Sequence, residues 1–84
     1  MNHEISEQRI VHMQRLINRA KNDLNKLERT VFNLEVNNMD EFEQGMQSIG
    51  TKTKKISKDV RAVRKISQAA LSDIQNNNNH NNHN

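Results

Sequence analysis

The stretch E-V-N-N-M-D-E-F-E-Q-G, residues 35–45, decides the fold of this 84-residue chain, because one helical pattern runs into it and another runs out. Before the stretch, apolar residues recur with heptad spacing, and all eight a and d positions are apolar when position a is set at residue 10. The register fails within the stretch and resumes one residue later, where nine of eleven a and d positions are apolar. The first seam comprises Ile10, Met13, Ile17, Ala20, Leu24, Leu27, Val31 and Leu34, and the second comprises Met39, Phe42, Met46, Ile49, Thr53, Ile56, Val60, Val63, Ser67, Ala70 and Ile74.

The first interpretation of this break is a turn between two helices. Asn37 or Asn38 can adopt the left-handed conformation that ends a helix. Asp40 followed by Glu43 fits the N-cap and the capping-box acid of a second helix. Acidic residues are also favourable at the positive end of the helix dipole, so the local cluster of acids suits the beginning of a helix.

The second interpretation is a single rod that passes through the stretch. One extra residue rotates the seam by about 100°, and unwinding can spread that rotation along a continuous helix. No Pro or Gly forces a break within residues 35–44, whereas Gly45 and Gly50 weaken the beginning of the second segment, each by roughly 1 kcal/mol relative to Ala. We favour the turn, because the two arms have nearly equal lengths, each roughly 50 Å at 1.5 Å per residue, and match when folded together.

The predicted fold class is therefore all-α, with two long amphipathic helices in an antiparallel helical hairpin or, alternatively, a segmented coiled coil. The Asn-rich end of the chain cannot bury apolar surface, so we expect it to form a disordered C-terminal tail. The predicted segments are a disordered N-terminus at residues 1–4, a first helix at 5–36, a turn or skip at 37–40, a second helix at 41–74 and the Asn/His-rich tail at 75–84.

The composition argues against chemistry. The chain has no Cys, Pro, Trp or Tyr, and only 32% of its residues are hydrophobic. It offers no Gly-rich phosphate loop and no core large enough to form a pocket, so we expect a non-enzymatic protein with no catalytic, cofactor-binding or metal-binding residue. His80 and His83 could loosely hold a metal, but two ligands in a flexible tail make a poor site. No leader or membrane-spanning segment is expected, which favours a cytoplasmic protein.

The apolar residues indicate that the chain needs partner helices. A two-helix hairpin buries only part of each seam residue, and further apolar residues beside the a and d positions widen the stripe, including Leu16, Phe32 and Leu71. That width suits a three- or four-helix assembly. The residues predicted to contact partner helices are Ile10, Met13, Ile17, Leu24, Leu27, Val31, Leu34, Met39, Phe42, Met46, Ile49, Ile56, Val60, Val63 and Ile66.

The distribution of charge indicates what those partners are. Residues 52–65 carry seven bases against one acid, and the first helix is also net basic. An antiparallel hairpin would lay one basic arm beside the other, so we expect more acidic coiled-coil subunits as partners in a hetero-oligomer. Alternatively, the basic surface binds an anionic membrane or nucleic acid directly, although nucleic acid is not expected because no aromatic residues are interleaved with the bases. This basic surface, assigned outside the a and d positions, comprises Lys52, Lys54, Lys55, Lys58, Arg61, Arg64 and Lys65.

The second half of the chain resembles the KxDL family of small coiled-coil subunits of the BLOC and BORC complexes, which build or position lysosome-related organelles. The resemblance rests on residues 57–60, Ser-Lys-Asp-Val, followed by heptad-spaced Arg61, Val63, Arg64 and Ile66. Asp59 alone matches the motif outright, since Ser57 stands where the family has Lys and Val60 where it has Leu. It implies a small scaffold subunit in the cytoplasm, associated with endosomal or lysosomal membranes through its complex.

A second resemblance is to the small subunits of the DASH outer-kinetochore complex. It rests on residues 40–41, Asp-Glu, with Gln44, Met46, Ile49 and Lys52, after the stripe formed by Leu27, Val31 and Leu34. It implies a spindle or kinetochore subunit instead. Both resemblances imply a short helical subunit of a larger hetero-complex, without a small-molecule substrate or a cofactor.

Overall fold

A computed structural model of the chain describes residues 3–82, with side chains described for residues 6–77. Two helices, α1 at His3–Phe32 and α2 at Met39–Asn82, pack against each other as a hairpin that measures 70 × 20 × 13 Å. The thickness corresponds to a single layer of helices. Near the open end, Arg9 of α1 contacts Asp73 of α2. The predicted all-α antiparallel hairpin is therefore confirmed, and the continuous rod is not formed.

The first helix ends four residues earlier than predicted, at Phe32. The Asn33 N–H donates to the Arg29 carbonyl at 3.0 Å and the Leu34 N–H donates to the Val31 carbonyl at 3.3 Å, so the last turn tightens. No residue in the described part of the chain has a positive φ. The predicted left-handed Asn at position 37 or 38 is therefore wrong, because amides at 33 and 34 already satisfy carbonyls at the helix end.

The second helix begins two residues earlier than predicted, at Met39, and its N-cap is Asn38. The Oδ1 atom of Asn38 accepts a hydrogen bond from the Glu41 N–H at 3.2 Å, and its carbonyl accepts one from the Phe42 N–H at 2.9 Å. The prediction of Asp40 as the N-cap is wrong, because Asn38 presents an acceptor three residues before Glu41. Asp40 lies instead within the first turn, where its charge suits the helix dipole.

The chain ends also differ from the predicted segments. Residues 3–4 belong to α1, and α2 continues past Ile74 as far as Asn82. No Pro or Gly follows Ile74 to stop the helix, and each added residue contributes one more backbone hydrogen bond. Gln75, Asn76 and Asn77 are all exposed. The parts of the predicted disordered termini at residues 1–2 and 83–84 lie outside the described residues.

The helices pack in a register that uses only half of the predicted seam. Two heptad columns of each helix are directed at the other helix. The shared column belongs to the predicted seam and comprises Met13, Ala20 and Leu27 of α1, Leu34 of the loop, and Phe42, Ile49, Ile56, Val63 and Ala70 of α2. The mixed column does not belong to that seam and comprises Arg9, Leu16, Asp23 and Thr30 of α1 with Gly45, Lys52, Asp59, Ile66 and Asp73 of α2.

Gly45 lies in the mixed column where Leu34 packs over it. A Cβ atom at residue 45 would collide with the Cδ2 atom of Leu34, whereas one at Gly50 would meet no atom within 4 Å. The absence of a side chain at Gly45 therefore permits the close approach of the loop to α2. Gly50 has no such packing role in the hairpin.

Replacing each glycine by Ala is therefore expected to give unequal effects. Gly50→Ala should raise the free energy of unfolding by about 1 kcal/mol, through helix propensity alone. Gly45→Ala gains the same propensity but must displace the end of the Leu34 side chain, and that overpacking should cancel about 1 kcal/mol, so we expect little or no net gain. Urea unfolding followed by circular dichroism measures both. Equal gains at the two positions would contradict the packing of Leu34 over Gly45.

Candidate functional site

An apolar face runs along one side of the hairpin. It consists of apolar side chains that are about half exposed or more, most of which come one residue after a member of the mixed column. One residue along a helix is a rotation of about 100°. Because the helices are antiparallel, this rotation carries the side chains of both helices to the same side of the hairpin. The apolar face comprises Ile10, Ile17, Leu24 and Val31 of α1 with Met39, Met46, Val60, Leu71 and Ile74 of α2.

A groove between the helices shows that both contribute to this face. Ile17 and Leu24 from α1 lie on the same groove as Val60 from α2, and Leu16 and Ile56 contribute to its lining. Its volume is about 180 Å³, below the roughly 300–1,000 Å³ typical of small-molecule pockets. The groove is therefore smaller than a typical small-molecule pocket.

The predicted partner-contacting residues are consequently divided between two surfaces. Eight of them are half-buried between α1 and α2, and the other seven lie exposed on the apolar face. The half-buried residues are Met13, Leu27, Leu34, Phe42, Ile49, Ile56, Val63 and Ile66. The exposed ones are Ile10, Ile17, Leu24, Val31, Met39, Met46 and Val60.

Three aspartates in the mixed column form ion pairs across the hairpin. Arg19 Nε and Nη2 donate to Oδ2 and Oδ1 of Asp59 at 3.0 and 2.6 Å. Arg9 Nη2 donates to Oδ2 of Asp73 at 2.7 Å. The charge conflict expected between the two basic arms is thus partly resolved inside the hairpin, because the acids lie at the interface.

The third aspartate, Asp23, is poorly paired. It is 6% exposed, and the Nζ atom of Lys55 lies 3.9 Å from its Oδ1 atom. Its Oδ2 atom has no hydrogen-bond partner within the described part of the chain. In each helix a base precedes the buried aspartate by four residues, Arg19 before Asp23 and Lys55 before Asp59. Each base pairs with the aspartate of the other helix, and the Arg19–Asp59 pair is closer than the Lys55–Asp23 pair.

Electrostatics at Asp59 follow from this geometry. The hydrogen bonds from Arg19 lower the pKa of Asp59, burial opposes that shift, and the charges of Arg19, Lys55 and Lys58 lower the pKa further. The pKa of Arg19 is raised by its hydrogen bond to Asp59 and by that carboxylate's charge. Both groups therefore stay ionised in the folded hairpin over the ordinary pH range.

Acid is expected to destabilise the hairpin through Asp59. Since its folded-state pKa is below its ordinary value, the ion pair stabilises fully above about pH 4 and is lost as the pH falls through the lower folded-state pKa. Asp59→Asn should therefore flatten the fall in melting temperature below about pH 4. Glu28→Gln, at an exposed position without an ion pair in the described part of the chain, is the control and should keep the wild-type slope. An Asp59→Asn profile parallel to the wild type would contradict the assignment.

The predicted basic residues occupy three kinds of position. Lys52 lies in the mixed column, half-buried, and its Nζ atom donates to Ser48 Oγ at 2.6 Å. The prediction that every base lies outside the interface is therefore wrong for Lys52, because the packing register differs from the predicted one. Lys55 lies beside Asp23. The others, exposed on α2, are Lys54, Lys58, Arg61, Arg64 and Lys65.

The hairpin tip adds exposed apolar surface. Phe32, Val36 and Met39 are each at least 70% exposed. Phe32 was predicted to widen the apolar stripe, and it lies at the end of α1 rather than over α2. The tip and the apolar face together hold all the exposed large apolar side chains of residues 6–77 except Val11.

Other kinds of site find little support in the described residues. No group of three or more His, Asp or Glu side chains in that part of the chain could hold a metal ion. The side chain of His80 and all of His83 lie outside what is described. Neither described helix is long and apolar enough to cross a membrane. Comparisons of the chain with protein-family models, curated proteins and solved structures found no match.

Proposed function

We propose that this chain is a non-enzymatic coiled-coil subunit of a hetero-oligomeric complex, which docks its apolar face on helices of other subunits. The observation that carries the proposal is the placement of apolar residues. Leu16 is the only apolar side chain buried among residues 6–77, whereas nine large apolar side chains lie exposed on one side. A helix whose apolar stripe faces solvent gains stability by burying that stripe against another element.

The size of the face supports docking. The broad side of the hairpin measures 70 by 20 Å, an outline of about 1,400 Å². Stable protein interfaces bury about 800 Å² on each partner. One or two partner helices laid along the hairpin would cover enough of the face to complete a three- or four-helix bundle.

The rim of the face defines the chemistry of the partner. Lys21 lies on the groove, Glu28 follows it two turns later, and Arg64 follows Val60 by one turn on α2. A partner helix with an apolar seam would be matched by acids opposite Lys21 and Arg64 and by a base opposite Glu28. This requirement agrees with the proposed net-acidic partner subunits.

The resemblance to the KxDL family supports a more specific role. On that basis the chain is a cytoplasmic scaffold subunit for organelle biogenesis or for positioning vesicles and lysosomes, associated with endosomal or lysosomal membranes through its complex. The resemblance to DASH subunits supports the alternative role of a spindle or kinetochore subunit. Both roles use the apolar face in the same way and differ in the identity of the partners.

Affinity purification of the tagged full-length chain from its native cell, followed by mass spectrometry, tests the proposal. Recovery of defined helical partner proteins in stable proportion is expected. Organelle-complex subunits among them would support the first role, and centromere proteins or tubulin would support the second. Recovery of the chain alone, as a monomer or a pure homodimer, would contradict the proposed function.

A further inference from the structure

The outer edge of α2 carries a row of bases that the docking of partner helices does not use. Lys54, Lys58, Arg61 and Lys65 are spaced by four, three and four residues, so they lie on one stripe of the helix. From the first to the last Cα atom the row is about 17 Å long at 1.5 Å per residue. We call these four residues the basic edge.

The bases of the basic edge are not held in ion pairs by any described residue. All four side chains are exposed, and none forms an ion pair with a residue in the described part of the chain. Between Glu43 and Asp73 the only acid is Asp59, which is 3% exposed and held by Arg19. The counter-charge nearest in sequence is thus turned inward and neutralised.

The position of the basic edge leaves it accessible in an assembly. On the helical wheel it lies about 180° from the columns that face α1 and about 100° from the apolar face. A partner packed on the apolar face would therefore leave the edge in solvent. The shallow surfaces between these bases are lined by the basic side chains together with Thr51 and Ala62, so no large apolar side chain interrupts the row.

We propose that the basic edge binds the anionic lipid headgroups of a membrane surface. A straight row of cations along a rigid rod meets a flat anionic surface with all of its charges at once, and each base near such a surface contributes independently to the attraction. This inference does not rest on the partner subunits, because it concerns another side of α2. It would supply a direct attachment to membrane beside any that the complex provides.

The same row fits nucleic acid less well. A helix that enters the major groove of DNA has phosphates on both walls, about 12 Å apart. It therefore needs Lys or Arg side chains on two sides rather than in a single row. Lys55 lies on one flank of the basic edge, but its side chain is directed at Asp23 of α1 and is not free to contact a second row of phosphates. No aromatic residue follows Phe42 to stack on nucleobases.

Vesicle flotation of the full-length chain tests the inference. The probes are phosphatidylcholine vesicles with and without phosphatidylserine, over a series of salt concentrations. Binding is expected only to the anionic vesicles and should weaken as added salt shortens the Debye length. Replacing all four bases of the basic edge by Gln should lower the partition coefficient by several hundredfold, since each base contributes roughly fivefold.

The matched control removes the same net charge from the other helix. It replaces four exposed bases of α1 by Gln, namely Arg15, Lys21, Lys26 and Arg29. This variant should bind within roughly tenfold of the wild type. Gln is a good helix former, so both variants should keep their helical circular dichroism.

Three results would overturn the inference. Equal losses in the two Gln variants would show that net charge, rather than the basic edge, determines binding. Binding of neutral and anionic vesicles alike would exclude headgroup charge. Tighter binding to duplex DNA than to anionic vesicles at equal phosphate concentration, lost in the basic-edge variant, would assign the edge to nucleic acid instead. None of these results would affect the proposed docking of partner helices on the apolar face.

Discussion

A chain carrying Ile17→Asp and Leu24→Asp is expected to fold as a hairpin and to lose its partner subunits. Both side chains lie on the groove of the apolar face, so a docked helix would bury them. Docking buries the half of each side chain that the hairpin leaves exposed, which contributes about 1 kcal/mol each, and a carboxylate trapped in the interface without a partner adds a desolvation cost of about 1–3 kcal/mol. The double variant should therefore bind its partner roughly a hundredfold to ten-thousandfold more weakly.

The hairpin itself should tolerate these substitutions. Ile17 is 46% exposed and Leu24 is 53% exposed, so about half of each side chain lies outside the packing of the hairpin itself. Exposed substitutions usually change stability by less than about 0.5 kcal/mol. Circular dichroism of the purified variant should show the helical content and melting temperature of the wild type.

The control variant places the same charges one residue later. Asn18→Asp with Asn25→Asp adds two carboxylates to the same helix, rotated by about 100° toward its outer edge. Partner recovery in affinity purification should remain at the wild-type level. If both double variants lose partners equally, added charge alone is responsible, and the apolar face is not the docking surface.

The sequence predicts the apolar face residue by residue but not its exposure. In each helix, three neighbouring heptad columns could face the interior. The shared column lies in the middle, with the mixed column on one side of it and the column of the apolar face on the other. Burial of apolar area alone favours the last of these over the mixed column. A single-helix pattern therefore assigns Ile17 and Leu24 to the interior, together with Leu27, whereas the hairpin buries Leu16 and Asp23 instead.

The choice of the mixed column depends on pairings between the helices that no single-helix pattern contains. Arg19 with Asp59 and Lys55 with Asp23 lie at matching levels once the chain is folded back. Gly45 allows α2 to approach Leu34 on the same side. One signal for this arrangement is present in the sequence, since a base precedes an acid by four residues in both helices, at 19–23 and 55–59.

The predicted turn at residues 37–40 overlaps the observed loop only at residues 37–38, and the predicted capping chemistry is wrong. The break in the seam lies within residues 35–38 and the observed loop spans residues 33–38. Several Asn and Asp residues in the stretch could each cap a helix, and sequence preference does not distinguish among them. Asn38 is the N-cap because its side chain accepts a hydrogen bond from the Glu41 N–H and its carbonyl accepts one from the Phe42 N–H.

The poorly paired Asp23 provides the second test with a large expected effect. Asp23→Leu is expected to raise the free energy of unfolding by about 1–3 kcal/mol, because replacing an imperfect buried ion pair by a well-packed apolar residue removes its desolvation cost. Asp and Leu branch at the same atom and have equally many side-chain heavy atoms, so the new side chain occupies a similar space. Lys55 loses little, since its side chain is 62% exposed and can be hydrated.

The equivalent substitution at Asp59 is the matched comparison. Asp59 accepts two charge-assisted hydrogen bonds from Arg19, so Asp59→Leu removes satisfied interactions and should bring no gain in stability. Asp23→Asn should lie close to the wild type, because it removes the charge but keeps a buried polar group. Urea unfolding of the three variants measures the differences. The prediction would be contradicted if Asp23→Leu were no more stable than Asp59→Leu. The Asp23 carboxylate would then be well paired in solution, and the hairpin would depend on both aspartates.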